Sequence, residues 1–450
     1  MTRDPDSDER GSSGSSRVAV YALGAVLGGL VGGFVVVGLT LLLKSGMELV
    51  ARQPTWVLIV VPLCGLAVAA LVLNGIGRGP TSDGSSSAWR TFPPGAIRAD
   101  ITGDVVESAG EEERFPWRLA PLRSVAVVAT VGLGGAMGTE SPAVYFGVAA
   151  GACLGDRGRR WRRLLRPAAL AGGAAGVAAL MGIPLVGTAY ILELGRRQKG
   201  ALTIERVVAA LIGGVIGWGI DVCFGLSLIR LVVPHEPPHG FAQGVITALF
   251  IGALAGTITA VTGAAVYRAK KWHASPTVRF VLGGLAGVGA AVALAFIAAP
   301  SAAVGPGGGA ILWAENSNAL PLILLAVAAL RAVATTAAMA AGGCGGIFVP
   351  FLAVGDLAGR VFAPGLGIGQ DLAGSAGAAA GISGGYRLPF TAVAMALGVG
   401  GPPLATLTCL ATVGVAFLAA IATGSMIDRL TLRARARRPI AASDLTVRAH

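Results

Sequence analysis

Two five-residue segments have the composition of an anion-binding helix start: Gly138-Thr139-Glu140-Ser141-Pro142 and Gly346-Ile347-Phe348-Val349-Pro350. Each ends in a proline, which has no N–H to leave unpaired and is therefore tolerated in the first turn of a helix. The residues before it, Thr139 to Ser141 and Ile347 to Val349, then present backbone amides with no carbonyl partner. Those donors and the positive end of the helix dipole favour an anion. Gly138, Gly345 and Gly346 let the backbone approach an ion closely. The first segment adds Glu140, a carboxylate whose negative charge mimics a bound halide. Two plain structural alternatives stand beside this chemistry: prolines that only kink packed helices, and a Glu140 that only caps its own helix.

Other residues with chemical potential are weaker. His235-Glu236-Pro237-Pro238-His239 spaces two histidines as a metal-binding helix would, but its prolines forbid a regular helix, so a loop is expected. Gly305-Pro306-Gly307-Gly308-Gly309 lacks the Lys-Ser/Thr of a phosphate loop and reads as a re-entrant turn. No histidine falls within an apolar run, and no nucleophile-base pair or ligand cluster converges there, so hydrolase and metal chemistry find no support. No metal and no cofactor is expected. The five cysteines stand singly, mostly in apolar segments, and read as small buried hydrophobes.

The elements that must position these motifs are membrane helices. Of 450 residues, 54% are hydrophobic and 13% charged, too few charges to coat a soluble protein of this size. A spanning helix needs roughly 20 apolar residues. Candidate runs are Val18 to Leu43, Trp56 to Leu73, Val125 to Met137, Ala168 to Leu194, Val207 to Ile229, Ala242 to Val266, Phe280 to Ala299, Leu320 to Ala341, Ile347 to Ala363 and Pro389 to Thr423. Some are too short to cross, and others are long enough for two short helices in series. The 69 glycines fit helices packed through small faces in lipid.

The net charge of +12 resides in loops and tails, which fits positive-inside topology rather than a nucleic-acid partner. The run Arg157 to Arg166 and the stretch Arg433 to Arg438 would both be cytoplasmic. Residues 1–16 read as a disordered cytoplasmic tail with no signal-peptide pattern. The expected localisation is the cell membrane, multi-pass, with both termini cytoplasmic and the bilayer as partner.

An internal repeat relates the two motifs. Pro142 precedes Gly147, Gly151 and Gly155, then Ala171-Gly-Gly-Ala-Ala-Gly176 and Pro184. Pro350 precedes Gly355 and Gly359, then Ala376-Gly-Ala-Ala-Ala-Gly381 and Pro389. Gly/Pro-interrupted hydrophobic segments at corresponding places in two halves point to a transporter-like fold with its site near mid-membrane. Irregular backbone at that depth is tolerable only inside protein or beside a cavity. The expected fold is all-α, with residues 17–230 and 231–430 as two inverted-topology membrane repeats with broken, re-entrant helices, and a basic cytoplasmic tail at 431–450.

The paired signatures resemble those of the CLC chloride channels and chloride/proton exchangers. Gly138 to Pro142 is similar to the family's Gly-(Lys/Arg)-Glu-Gly-Pro motif, with Thr139 and Ser141 as departures, and Gly346 to Pro350 matches Gly-x-Phe-x-Pro. Gly173 to Glu193 and Gly377 to Thr391 resemble the helix pairs that follow. The resemblance implies the prokaryotic type without cytoplasmic nucleotide-binding domains, since little chain follows Leu430. It also implies a homodimer with one anion pathway per subunit, Glu140 as the gate, and Gly138, Thr139, Ser141, Gly346, Ile347, Phe348 and Val349 around the anion.

Departures limit what the resemblance implies. Leu194 occupies the position of the inner proton-carrying glutamate, and leucine holds no transferable proton; its neighbour Glu193 reads as a structural carboxylate. The nearest candidate for the family's serine motif is Gly77 to Ser82, which would put Arg78 and Gly79 beside the path; a plain membrane-edge arginine is the alternative. The Tyr-Asp start of the last helix aligns with Ile427-Asp428, which leaves no hydroxyl there. The expected function is movement of chloride or a similar monovalent anion gated by Glu140. A proton-coupled antiporter with another relay and a transport-dead membrane scaffold are the alternatives, and an enzyme is not expected.

Overall fold

A computed structural model describes residues 14–76, 99–112, 115–156, 164–196, 202–225, 232–363, 366–398 and 406–436. The described residues are overwhelmingly helical, and their single β-type feature is an isolated antiparallel bridge between Gly138 and Gly346. Seven of the described helices are long and apolar enough to cross a membrane: Val18–Ala51, Thr55–Asn74, Ile204–Phe224, Phe241–Lys270, Pro276–Ile297, Pro321–Ala340 and Leu407–Thr431. Large apolar side chains such as Phe296, Leu322 and Leu285 stand exposed on them, as expected of surfaces solvated by lipid.

In chain order the helices are α1 (Gly14–Ala51), α2 (Thr55–Leu71), α3 (Ile101–Glu107), α4 (Ala120–Val127), α5 (Glu140–Gly155), α6 (Leu165–Met181), α7 (Pro184–Gly195), α8 (Ile204–Phe224), α9 (Phe241–Lys270), α10 (Pro276–Ile297), α11 (Pro300–Ala303), α12 (Gly308–Glu315), α13 (Pro321–Ala340), α14 (Phe348–Arg360), α15 (Gln370–Gly381), α16 (Pro389–Leu397) and α17 (Leu407–Ala436). The series α5-α6-α7 and α14-α15-α16 repeats one order in two halves, each beginning with a helix too short to span.

The run Ala168 to Leu194 is indeed two helices in series. Gly182 takes the left-handed conformation that closes α6 (φ 65°), and Pro184 then occupies the first turn of α7. The run Pro389 to Thr423 likewise divides between α16 and α17. The glycine-rich segment at Gly305 is a turn between two short helices: φ is 68° at Gly305 and 126° at Gly307, between α11 and α12. Arg331, buried in α13, holds that turn by donating to the carbonyls of Gly305 (2.6 Å) and Ala302 (3.3 Å). His235 and His239 lie outside any helix.

The glycines that recur at one spacing after each proline do the same work in both halves. Four residues apart on a helix is one face. A Cβ at Gly147 would lie 3.0 Å from the Gly173 Cα, and one at Gly151 would lie 2.7 Å from the Ala169 Cα. In the other half, a Cβ at Gly355 would lie 2.9 Å from the Gly381 Cα, and one at Gly359 would lie 2.9 Å from the Gly377 Cα. Backbone thus meets backbone along α5/α6 and α14/α15, which fixes the axes of the two short helices.

The cysteines depart from expectation. Cys344 and Cys409 are buried, but Cys64 and Cys223 are exposed, on the outer faces of α2 and α8. A thiol is apolar enough to face lipid as readily as a core.

Overpacking tests the glycine seams. Gly355→Leu and Gly151→Leu should each lower stability by about 2 kcal/mol or more, read as a drop in thermal midpoint in detergent, while leucine at Gly414, where a Cβ meets nothing within 4 Å, should leave the midpoint close to wild type.

Candidate functional site

The two proline motifs meet. Gly138 N–H donates to the Gly346 carbonyl and Gly346 N–H donates to the Gly138 carbonyl, both at 2.7 Å. This pairing sets the starts of α5 and α14 side by side. Each proline is the third residue of its helix, at the same offset in both, where its missing N–H would have found no intrahelical partner. Neither Thr139 nor Ile347, the residues flanking the two starts, caps its helix with its side chain. The amides there are left for another acceptor.

Glu140 supplies it. Its side chain is fully buried, and the backbone amides of Glu140, Val349 and Thr139 act on its carboxylate. The Thr139 hydroxyl donates to Oε1 at 3.4 Å, whereas Oε2 has no well-aligned partner. Oε2 lies against Gly138, and 2.9 Å from where a Cβ on Gly346 would stand. Glu140 therefore caps its own helix and also lies at the start of α14. The glycines contribute by lacking side chains, because their own amides are committed to each other. Ser141, Phe348 and Val349 are buried around the carboxylate, and Ile347 is partly buried.

Three further residues reach this place. Tyr190 of α7 and Tyr386, at the end of the π-helical turn Ile382–Tyr386, bring their hydroxyls 3.0 Å apart. Ser141 Oγ is 3.5 Å from the first and 3.4 Å from the second. Thr102 of α3 donates to Ser141 Oγ at 2.8 Å. The Phe348 ring stands edge-on to both tyrosines, with centroids 5.7 Å away in each case. α3 is held in place by a buried ion pair between Asp104 and Arg123 and by Lys270 on Asp100 at 2.9 Å. Sequence reasoning missed all three hydroxyls. The available signal was the presence of two of only five tyrosines within the matched segments.

Other expected positions fare differently. Arg78 and Gly79 lie outside the described residues. Ile427 is partly buried on α17, twenty residues past its start at Leu407 rather than at the start of a helix. The expectation that Ile427-Asp428 starts a helix is therefore corrected: no proline interrupts α17 between Leu407 and Ala436, and the helix runs through both residues. Asp428 instead accepts from Arg387 at 2.8 Å.

Leu194 is buried in α7. Glu193 has a clear structural role, in which Oε1 accepts from Phe390 N–H (2.9 Å), and Oε2 from Thr391 N–H (2.7 Å) and the Thr391 hydroxyl (2.6 Å). It caps the start of α16 from across the molecule. Among the described residues, no group of three or more His, Cys, Asp or Glu is placed to hold a metal.

Comparison with known proteins gives one family. The sequence model described as "Voltage gated chloride channel" matches residues 84–421. The chain is 32% identical over 289 residues to an H(+)/Cl(-) exchange transporter ClcA of Cronobacter sakazakii, a match covering 61% of this chain and 59% of that protein. It is 28% identical over 309 residues to the ClcA of Yersinia pestis bv. Antiqua, covering 65% and 63%. The match thus spans about three-fifths of these relatives' length. In three dimensions the chain is similar to a slow cyanobacterial Cl-/H+ antiporter, with a TM-score of 0.66, 20% identity and coverage of 93% of this chain and 99% of that one. It is equally similar to a CLC-type fluoride/proton antiporter, with a TM-score of 0.67, 21% identity and coverage of 91% and 95%. At such identities the likeness is one of fold.

The capping geometry of Glu193 predicts a stability effect. Glu193→Ala should cost about 2 kcal/mol by stranding the Phe390 and Thr391 amides, and Glu193→Gln, which keeps one acceptor oxygen, should cost less, both read from thermal midpoints in detergent.

Proposed function

This chain belongs to the voltage gated chloride channel family, and on that premise we propose that it moves chloride or a similar monovalent anion across the membrane through a pathway gated by Glu140. The observation that carries the proposal is the carboxylate lodged between the starts of α5 and α14, beside amides of both. A negative charge in the membrane interior is costly and functional by default. Here it occupies the place where the dipoles of two helices favour an anion. While ionised, the side chain competes with a permeating anion for those amides. Protonated, it loses its claim on them and yields the place.

Glu140 is thus the gate, and the amides of Thr139, Ser141, Ile347, Phe348 and Val349 receive the anion. Gly138 and Gly346 join the two helix starts and leave room for it. The curated relatives are named as H(+)/Cl(-) exchangers, and a proton used by Glu140 fits that chemistry. Leu194 supplies no inner carrier for it. The basic runs support a cytoplasmic position for both termini, and the family resemblance implies a homodimer with one pathway per subunit.

Flux measurements test the gate. In liposomes loaded with chloride, efflux through the wild-type protein should rise as pH falls, because protonation releases the carboxylate. Glu140→Ala and Glu140→Gln should remove that pH dependence, with flux at neutral pH about tenfold above wild type. Flux that keeps its pH dependence in both variants overturns the gate assignment, and an absence of anion flux from the wild type under every condition overturns anion transport itself.

A further inference from the structure

Four hydroxyls from four separate stretches of the chain pack together beside Phe348: Thr102, Ser141, Tyr190 and Tyr386. Packing alone does not call for them. Phenylalanine would fill the volume of either tyrosine, and a buried hydroxyl is unfavourable unless paired. Tyr190 is fully buried, and its hydroxyl partners come from the other tyrosine and from Ser141. A hydroxyl both donates and accepts. A chain of them can therefore pass a proton without any member ionising, each oxygen taking one proton as it gives up another.

Both ends of the chain have a destination. At one end, Ser141 Oγ and Glu140 Oε2 lie 3.1 Å and 2.9 Å from the point where a Cβ on Gly346 would stand, so the two oxygens flank a space that a side chain would fill. Oε2 is the buried gate oxygen without a well-aligned partner. Thr102 donates to Ser141, which leaves the Ser141 hydrogen free to turn toward another acceptor. At the other end Tyr386 is partly exposed. The next residue, Arg387, takes the left-handed conformation (φ 63°) and pairs with Asp428, whose side chain is 59% exposed. The partly exposed Tyr386 is thus followed in sequence by a residue whose ion-pair partner is open to solvent. Leu194, one turn beyond Tyr190 on α7, is bypassed.

We propose that Tyr386, Tyr190 and Ser141 form a hydroxyl relay that carries protons between the solvent beside the Arg387–Asp428 pair and the Glu140 carboxylate. The relay rests on Glu140 being the gate. In one passage a solvent proton binds Tyr386 Oη as the proton of that hydroxyl moves to Tyr190 Oη. The Tyr190 proton moves to Ser141 Oγ, and the Ser141 proton moves to Glu140 Oε2. Each hydroxyl ends with one hydrogen, as it began, and the carboxylate ends neutral. Tyr386 also lies within reach of Ser141 directly, at 3.4 Å, so Tyr190 provides the shorter first contact rather than the sole one.

Simultaneous recording of chloride efflux and internal pH in chloride-loaded liposomes tests the relay. The wild type should drive protons against their gradient as chloride leaves. Tyr386→Phe and the Tyr190→Phe/Tyr386→Phe pair, which remove hydroxyls and keep ring packing, should lower the ratio of protons to chloride at least about tenfold. Wild-type chloride flux without proton movement, variants at the wild-type ratio, or proton and chloride fluxes falling in proportion each overturn the relay and leave anion transport standing. Absence of any wild-type chloride flux overturns the transport reading and the relay with it.

Discussion

Two helices begin inside the protein with no intrahelical partner for their first amides, and the reciprocal backbone hydrogen bonds between Gly138 and Gly346 bring those beginnings together. Everything else at the site follows from that meeting. Two positive helix ends side by side in a low-dielectric interior call for a negative charge, and Glu140 provides one from within the first motif. Any side chain on either glycine would occupy the space that its carboxylate now uses. The bridge also joins the two repeats at a point where neither could close a site alone.

The surrounding packing keeps this arrangement in register. α5 is seated on α6 through Gly147 and Gly151, and α14 on α15 through Gly355 and Gly359, so the two short helices cannot slide without backbone collision. Lipid gives apolar helices little reason to associate, and close backbone approach supplies the cohesion instead. Polar groups away from the site are held by defined partners. Glu193 caps α16, Arg331 holds the turn before α12, and Asp104 with Arg123 anchors α3. Each ties separate elements together, and each gives a buried charged group a hydrogen-bond partner.

The placement of Glu140 and Phe348 at two helix starts was legible in the sequence, because backbone geometry is written in glycine and proline spacing. The repeat was legible for the same reason, although only the structure shows that Gly147 and Gly355 are there to admit a neighbouring helix. Tyr190 and Tyr386 were not legible. Their partnership spans 196 residues, and a tyrosine within an apolar helix looks like packing until its hydroxyl has a partner. The helix start expected at Ile427 was read from a short residue pair, whereas α17 continues unbroken through it. Glu193 was read as structural, but the amides it serves belong to the other repeat and could be named only from the fold.

The proposed gating depends most on the carboxylate of Glu140 holding a place that an anion can take. Diffraction from crystals of Glu140→Ala grown in bromide addresses this directly through anomalous scattering. The expected result is a bromide between the starts of α5 and α14, within hydrogen-bonding distance of the Val349 amide and the amide of residue 140, and no such peak in wild-type crystals at high pH. Bromide bound elsewhere in the protein, with that place empty in the variant, would contradict it.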